Sequence, residues 1–228
     1  MAPLQFRFDA SAPAFPGAEV LDCSSLGGVR RYCDPAGQAA LKERAAGRWP
    51  GLHLLDSGDY HYLTKILADQ VPEPFDLILF DHHPDMQVPA FEGVLSCGGW
   101  LRDMLLENPM LQQVTIVGID PSLLVETEGF GDRVRVFCEG DTVVPDGRLL
   151  PVYVSVDKDV FCKCFASTNW DQGSLTLSAF TDILSLLAGG RRMLGADICG
   201  GISFAEGGTE RDLSLNCQTD KYLINLFK

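Results

Sequence analysis

The sequence predicts one α/β domain built on a mostly parallel β-sheet. Segments 75–80 and 151–156 are almost uninterrupted apolar runs, as expected for strands that a parallel sheet buries on both faces. Strand-like and helix-like patterns alternate along the chain, which implies right-handed crossover connections. The 228 residues contain no Pro/Gly/Ser-rich linker or low-complexity boundary. We therefore treat residues 1–228 as a single domain.

The first half of the chain alternates between the two patterns. Asp34 and Pro35 are typical of a helix start, so we predict a helix that includes 39–46. Apolar residues within 63–67 recur at helical spacing and predict a second helix. The other predicted elements of this half are strands at 18–23, 51–56 and 75–81, and a helix at 97–107.

The second half repeats the alternation. A glycine-rich loop, 200–208, separates its last strand from its last helix and lacks the Lys-Ser/Thr ending of a phosphate-binding loop. The predicted elements are strands at 114–118, 134–137, 151–156 and 192–197, and helices at 122–126, 175–187 and 212–227.

Composition limits the classes of partner. The net charge of −13 argues against nucleic acid and anionic membranes. The first residues lack the pattern of a signal peptide, and no apolar run approaches the roughly 18 residues of a membrane span. The eight cysteines are too sparse for a disulfide scaffold, so we expect most of them to be reduced. We predict a cytoplasmic protein that acts on a small molecule, and leave open whether it forms a homo-oligomer.

A cluster of metal-binding residue types follows the strand at 75–80. Asp81, His83 and Asp85 alternate along the chain, so in extended backbone their side chains share one face, opposite His82. In open α/β sheets the carboxyl ends of the strands are where ligands bind. Carboxylates gathered without a counter-ion are costly to bury. The cluster therefore predicts a cation site.

The strand at 151–156 ends in the same way. Asp157 and Asp159 are two residues apart and face the same side, while Lys158 points the other way. A D-x-D pair alone is a weak indication, because turns and helix caps use aspartate freely. Two buried strands that both end in alternating acids make the functional interpretation the stronger one.

These motifs resemble those of a known family. Segment 81–85, Asp-His-His-Pro-Asp, is similar to the D-x-H-x-D motif of the arginase/agmatinase ureohydrolases, relatives of the histone-deacetylase-like hydrolases. Segment 155–159, Ser-Val-Asp-Lys-Asp, resembles their S-x-D-x-D motif. Segment 58–61, Gly-Asp-Tyr-His, is similar to their G-G-D-H segment, although Tyr60 occupies the register of the family's histidine. The resemblance extends from about Leu52 to the C-terminus and implies a three-layer α-β-α fold.

The resemblance also implies a binuclear metal centre and hydrolysis of a non-peptide C–N bond. Mn²⁺ suits such an oxygen-rich ligand set best, with Fe or Zn as alternatives. Asp81 and Asp157 would bridge the ions and, with Glu206 as a substitute acid, are the predicted catalytic residues. The implied metal ligands are His61, Asp81, Asp85 and Asp157 for one ion, and His83, Asp81, Asp157 and Asp159 for the other.

Three departures from the family pattern argue against arginine or agmatine as the substrate. Gly200 stands where the family has a guanidinium-binding glutamate. Segment 96–101 lacks the family's proton-shuttling histidine, and no third acid follows Asp159. Glu206, in the glycine-rich loop, is the candidate replacement for the lost glutamate.

Other residues have weaker claims to a function. Cys162 and Cys164 could bind a soft metal or oxidise, but a single C-x-C is more typical of an incidental pair. Trp100 is either core or a wall of the substrate site. His82 is expected behind the ligands or at the surface, and Asp197 could hydrogen-bond a ligand from behind.

Three hypotheses follow from the sequence. The first is a binuclear metallohydrolase that acts on a small amidine or amide. The second is a mononuclear Zn deacetylase-like enzyme that uses Asp81, His83 and Asp157. The third is a metal-binding protein without catalytic activity.

Overall fold

A central sheet of eight parallel strands organises the molecule. The computed structural model describes residues 2–227. The strand order is β2-β1-β4-β10-β9-β5-β7-β8. These strands are β1 Leu4–Arg7, β2 Glu19–Asp22, β4 Leu52–Leu54, β5 Phe75–Phe80, β7 Leu111–Ile119, β8 Val134–Cys138, β9 Val152–Asp157 and β10 Met193–Cys199.

A second, two-stranded antiparallel sheet pairs β3 with β6, which are Tyr32–Cys33 and Leu95–Ser96. Within residues 2–227, the α-helices are α1 Pro35–Ala45, α2 Leu63–Ala68, α3 Trp100–Glu107, α4 Leu177–Ala188 and α5 Glu210–Leu226. Within residues 2–227, no helix combines the length and the hydropathy needed to cross a bilayer.

Helices cover both faces of the sheet, because alternate residues of the central strands point to opposite sides. On β5, Leu77 and Leu79 belong to a core that includes residues of α1, α2 and α3. Ile78 and Phe80 belong to a second core that includes residues of α4 and α5. The predicted three-layer α-β-α architecture and mostly parallel sheet are therefore confirmed.

Most of the predicted elements form, with shifted ends. The helix expected from 97 begins at Trp100, and the helix expected at 122–126 is a 3₁₀ segment, Pro121–Thr127. The prediction missed β1, which pairs with both β2 and β4 and so lies inside the sheet. It also missed the disulfide between Cys162 and Cys164; the other six cysteines are free.

The two central strands that end in acids, β5 and β9, are hydrogen-bonded neighbours. β10 lies on the other side of β9 and pairs Cys199 with Asp157. Since the strands are parallel, their carboxyl ends meet at one edge of the sheet. The segments that follow β4, β5 and β9 therefore converge on a single site.

Candidate metal centre

The loop after β5 brings its acids together by turning. Asp81 directly follows the strand, and the backbone N–H of His83 donates to Asp81 Oδ1 over 2.7 Å. Asp85 adopts a left-handed backbone with φ of 50°. The extended geometry assumed from the sequence therefore does not persist to Asp85, although its carboxylate still reaches the same centre.

His61 occupies the middle of this centre. Its Nδ1 atom lies 3.1 Å from Asp81 Oδ2, 3.0 Å from Asp85 Oδ2 and 3.5 Å from Asp157 Oδ2. The ring is almost fully buried. Tyr60, by contrast, stacks on Phe8 with a centroid separation of 3.8 Å. The structure thus brings His61, and not Tyr60, to the acids.

A second group forms around His83. Its Nδ1 atom lies 2.9 Å from Asp159 Oδ2 and 3.6 Å from Asp81 Oδ1. Asp81 therefore has one carboxylate oxygen near each imidazole. Asp157 is less evenly placed: its Oδ2 faces His61, while its Oδ1 accepts from the backbone N–H of Asp159 over 3.0 Å.

Neighbouring side chains fix the orientation of these groups. The His61 Nε2 atom lies 2.9 Å from Ser155 Oγ, which donates to Asp197 Oδ1 over 2.5 Å. The indole N–H of Trp100 donates to Asp85 Oδ2 over 2.5 Å. Trp100 is thus a buried residue that also holds a carboxylate of the centre. Asp197 reaches the centre through Ser155, as expected of a supporting residue.

His82 supports the centre from its backbone. Its N–H donates to Asp159 Oδ1 over 3.0 Å. Its ring is buried, with Nδ1 3.3 Å from the carbonyl oxygen of Gly118. The structure therefore places His82 behind the ligands and not at the surface.

Burial and mutual repulsion dominate the electrostatics. Burial, with the neighbouring charge of Asp81, raises the pKa of Asp159 to about 6. Burial followed by the charge of Asp159 raises the pKa of Asp157. For His83, burial disfavours the imidazolium, but hydrogen bonds to Asp159 and Asp81 outweigh it and raise the pKa to about 12. Asp157 and Asp159 thus resist ionisation until positive charge is supplied.

The residues present fit divalent cations. His61 Nδ1 and Asp81 Oδ2 are buried and accept or donate no hydrogen bond of good geometry. Within residues 2–227, no lysine or arginine forms an ion pair with the carboxylates of the centre. The nearest in sequence, Lys158, instead pairs with Asp220 at 2.7 Å. Two sets of candidate donors share Asp81: His61, Asp81 and Asp85, and Asp81, His83 and Asp159.

Cys199 is a neighbour that the sequence prediction missed. Its Sγ lies 3.0 Å from Asp157 Oδ2, and it forms a third candidate donor set with His61 and Asp157. A period of two from Asp197 on β10 would have indicated it, since Asp197 and Cys199 point to the same face.

A cleft of about 250 Å³ opens onto the centre. Besides Asp81, His83, Asp85, Asp157 and Asp159, its lining includes Arg31, Cys97, Glu126 and Trp170. No sequence pattern indicated Arg31, Glu126 or Trp170, because they lie in irregular or 3₁₀ segments far apart in the chain.

Glu206 does not line this cleft. Its carboxylate accepts from the backbone N–H and hydroxyl of Ser203 over 3.0 and 3.1 Å, and pairs with Arg30 at 3.1 Å. These contacts close a capping box on the 3₁₀ segment Phe204–Glu206. The glutamate that lines the cleft is Glu126, and burial raises the pKa of its carboxyl group.

Gly200 packs directly on the centre. Its φ is +80°, and a Cβ built there would lie 2.1 Å from Asp157 Oδ1 and 2.7 Å from the backbone nitrogen of Lys158. Any side chain at this position would displace the Asp157 carboxylate. The missing guanidinium-binding glutamate is therefore excluded by the local backbone as well as by the sequence.

Sequence comparisons identify a relative but no family. No family model matches the chain. An uncharacterized protein of Thermotoga maritima is 32% identical over 153 residues, which cover 66% of this chain and 58% of that protein. The matched segment thus spans little more than half of that relative.

Solved structures align over almost the whole chain. A hypothetical agmatinase from Burkholderia thailandensis has a TM-score of 0.67 at 16% identity and covers 99% of this chain and 85% of its own. A formimidoylglutamase from Bacillus subtilis has a TM-score of 0.69 at 12% identity with the same coverages. At these identities the similarity establishes the fold. The chain has an arginase-like α/β fold, and the sequence resemblance is confirmed at that level.

Proposed function

From this arginase-like fold, we propose that the protein is a metal-dependent hydrolase of non-peptide C–N bonds in small amidines or amides. The observation that carries the proposal is the sharing of Asp81 between a His61 group and a His83 group of candidate donors. The structural neighbours named agmatinase and formimidoylglutamase support the same reaction class.

The six predicted ligands are the residues that would hold two ions: His61, Asp81, His83, Asp85, Asp157 and Asp159. Two bound divalent ions would lower the pKa of a shared water and polarise the scissile group. Mn²⁺ suits the oxygen donors, with Fe or Zn as alternatives. The mononuclear alternative needs Asp157 beside His83, but the candidate donor set around His83 contains Asp159 instead.

The residues of this chain would perform the remaining tasks. Ser155 and Asp197 hold the His61 ring through its Nε2 atom, leaving Nδ1 directed at the carboxylates. Trp100 keeps the Asp85 carboxylate in place and shields it from water, since both residues are buried. The narrow cleft then admits only a small substrate beside these groups.

Glu126 is the residue placed to handle a proton. It lines the cleft with His83, and its raised pKa favours the protonated carboxyl. A carboxylic acid there could donate to a leaving amine, the task for which the sequence offered no histidine. Glu206, the substitute acid predicted from the sequence, does not line the cleft.

Metal analysis followed by a substrate screen tests the proposal. Protein purified without chelator should contain two equivalents of divalent metal and release ammonia from some members of a panel of small amidines and amides. Protein that binds no divalent metal would exclude a metallohydrolase. Saturation at one ion would favour the mononuclear alternative, and two ions without turnover across the panel would favour the non-catalytic one.

A further inference from the structure

Two alternating residues at the end of β10 lie beside a supporting residue and a candidate ligand of β9. The parallel register pairs Asp197 with Ser155 and Cys199 with Asp157. The first pair supports His61 from behind, and the second faces the centre itself. Cys199 is buried, with Sγ 3.0 Å from Asp157 Oδ2. The sheet register therefore places a sulfur among oxygen and nitrogen donors.

An unpartnered nitrogen faces the same point. His61 Nδ1 is buried and makes no hydrogen bond of good geometry. Single donor atoms of His61, Asp157 and Cys199 all lie within 4.8 Å of one another. Such a separation lets one cation contact all three with small side-chain adjustments, because metal–ligand bonds to N, O and S are about 2.0–2.3 Å long.

We propose that Cys199 supplies a thiolate ligand to the ion held by His61. The inference rests on the proposed metal-dependent function and refines its donor set. On coordination the thiol would release its proton to solvent and donate a sulfur electron pair to the cation. Thiolate is a soft donor, so this ion would be Zn²⁺ or Fe²⁺ in preference to Mn²⁺, while the His83 group keeps an oxygen-rich site.

Cobalt substitution tests the sulfur contact without relying on activity. Wild-type protein loaded with Co²⁺ should show visible d–d bands and an additional sulfur-to-cobalt charge-transfer band in the near ultraviolet. Cys199→Ser should keep the visible bands and lose the charge-transfer band. Its Zn²⁺ affinity should fall by at least about 10-fold, since loss of even an outer partner has that effect. Cys97→Ser is the matched control, because Cys97 also lines the cleft and should leave both bands unchanged.

The outcomes separate this inference from the proposed function. Visible bands without a charge-transfer band in wild-type protein would overturn the thiolate ligand and leave the metal centre intact. A charge-transfer band that survives in Cys199→Ser would likewise assign the sulfur elsewhere. Absence of all cobalt bands would remove the metal centre and the thiolate ligand together. Far-ultraviolet circular dichroism establishes that each variant is folded.

A different observation concerns the rim of the cleft. Arg31 has a left-handed backbone, with φ of 61°, held by Asp59 and Cys97. Its N–H donates to the Asp59 carbonyl over 3.1 Å, and its carbonyl accepts from the Cys97 N–H over 2.8 Å. Two backbone contacts thus fix a strained conformation that directs a long cationic side chain along the cleft wall.

The guanidinium group of Arg31 is only partly used. Its Nε donates to Asp59 Oδ1 over 3.1 Å, and its central carbon lies 5.0 Å from the centroid of the Trp170 ring. Among residues 2–227, no acceptor receives a hydrogen bond from its Nη1 or Nη2 atoms, and the side chain is 49% exposed. Arg30, next to it, instead pairs with both Asp59 and Glu206.

Trp170 links this cation to the metal centre. Its ring lies 5.9 Å from the ring of His83, centroid to centroid, and its indole N–H donates to Asp59 over 3.0 Å. Of the described residues that line the cleft, Arg31 is the only lysine or arginine. A free guanidinium edge therefore faces a cleft whose other titratable lining groups include several acids and the imidazole of His83.

We infer that the substrate carries a carboxylate or similar oxyanion, which Arg31 binds while the scissile C–N bond lies at the metal centre. This inference also rests on the proposed function and narrows its substrate class. Planar guanidinium groups suit carboxylates because they present parallel N–H donors. Stacking on Trp170 would hold the arginine in position as the anion enters.

Calorimetric binding of N-acetylglycine and N-acetylglycinamide tests this inference, because the two compounds differ only in the carboxylate. Metal-loaded wild-type protein should bind N-acetylglycine more tightly. Arg31→Gln should weaken that binding by about 10- to 100-fold, as expected on loss of charge-assisted hydrogen bonds. Binding of N-acetylglycinamide should be unchanged. Arg30→Gln is the control, since Arg30 does not line the cleft.

Unchanged N-acetylglycine affinity in Arg31→Gln would place the carboxylate at the metal ions and overturn the assignment. Equal affinities of the two compounds for wild-type protein, or no binding of either, would also contradict it. Metal content is measured on the same samples. A failure of the proposed metal centre is then visible independently of the result for Arg31.

Discussion

The Nε2 atom of His61 lies 2.9 Å from the Ser155 hydroxyl, on the side of the imidazole opposite the acids. Ser155 belongs to β9 and His61 follows the 3₁₀ segment Gly58–Tyr60, so the contact joins two distant parts of the chain. Because one ring nitrogen is held by Ser155, the other is directed at Asp81 and Asp85. The contact with Ser155 therefore orients His61, whose register in the motif was uncertain, as a candidate ligand.

Replacement of His61 should therefore affect one ion selectively. We expect His61→Ala to weaken the binding of one of the two metal ions. The other ion, which the His83 group would hold, should remain bound. Tyr60→Phe should leave metal content unchanged, because the Tyr60 ring stacks on Phe8. Both effects are measured by elemental analysis after dialysis. Full occupancy in His61→Ala would remove His61 from the centre.

Removal of a carboxylate that is predicted to bridge should release both ions. Asp81→Asn or Asp157→Asn should lose two equivalents together, because the remaining donors could not compensate two cations in a buried site. Asp120→Asn is the matched control. Asp120 also follows a central strand, but its carboxylate accepts a hydrogen bond from the backbone N–H of Ser122. Wild-type protein that saturates at one ion under excess Mn²⁺ would contradict the binuclear centre.

Substitution of Gly200 should damage the centre by steric contact. Gly200→Ala requires a left-handed backbone, which costs a residue with a Cβ about 1–2 kcal/mol. It also places a methyl group against the Asp157 carboxylate. Gly207→Ala is a control for strain alone, since its φ is +91° and nothing lies within 4 Å of the added Cβ. Denaturant unfolding should show a larger loss in the free energy of unfolding for Gly200→Ala than for Gly207→Ala. Metal titration should show a loss of metal affinity for Gly200→Ala alone.

The free energy of unfolding of the metal-free protein should fall as pH rises. Asp159, with a pKa raised to about 6, and His83, with a pKa raised to about 12, both bind protons more tightly in the folded state. The folded state then holds more protons than the unfolded state, from about pH 4 to 6 for Asp159 and above about 6.5 for His83. Stability is therefore lost as pH increases through these ranges.

Thermal unfolding measured between pH 5 and pH 8 checks this expectation. The melting temperature of metal-free protein should decrease over this interval, and bound metal should reduce the decrease because it stabilises the ionised acids. A metal-free protein that gains stability over the same interval would show that the sign is wrong.

Arginine and agmatine should be hydrolysed negligibly. Gly200 offers no carboxylate for a guanidinium group, whose unpaired donors would forfeit charge-assisted hydrogen bonds of about 1.5–3 kcal/mol each. Urea release from both compounds by Mn²⁺-loaded protein is the measurement. Turnover at roughly 1–10³ s⁻¹, the range of ordinary enzymes, would contradict this prediction. Glu126→Gln and Glu206→Gln would then identify the acid that replaces the missing glutamate.

Most strands of the sheet and much of the candidate centre were predictable from the sequence. Short apolar runs that alternate with helical patterns indicate buried strands, and parallel strands present their carboxyl ends, here with acids, at one edge of the sheet. Periodicity and topology place Asp81 and Asp157 at one edge of the sheet, and the family resemblance implies that they lie together. Local pattern also gave the helices, whose ends shifted by a few residues because capping depends on local contacts.

Which side chains outside the motifs reach the centre depends on long-range packing. His61 was ambiguous by register until Ser155 and the fold of the 3₁₀ segment oriented it. The period of two places Cys199 on the same face as Asp197, but only the lateral pairing of β10 with β9 makes it a neighbour of Asp157. Arg31 and Glu126 reach the cleft from irregular segments, where no periodicity indicates direction. Glu206 is held away from it by Ser203 and Arg30, contacts that depend on how loops pack and not on local pattern.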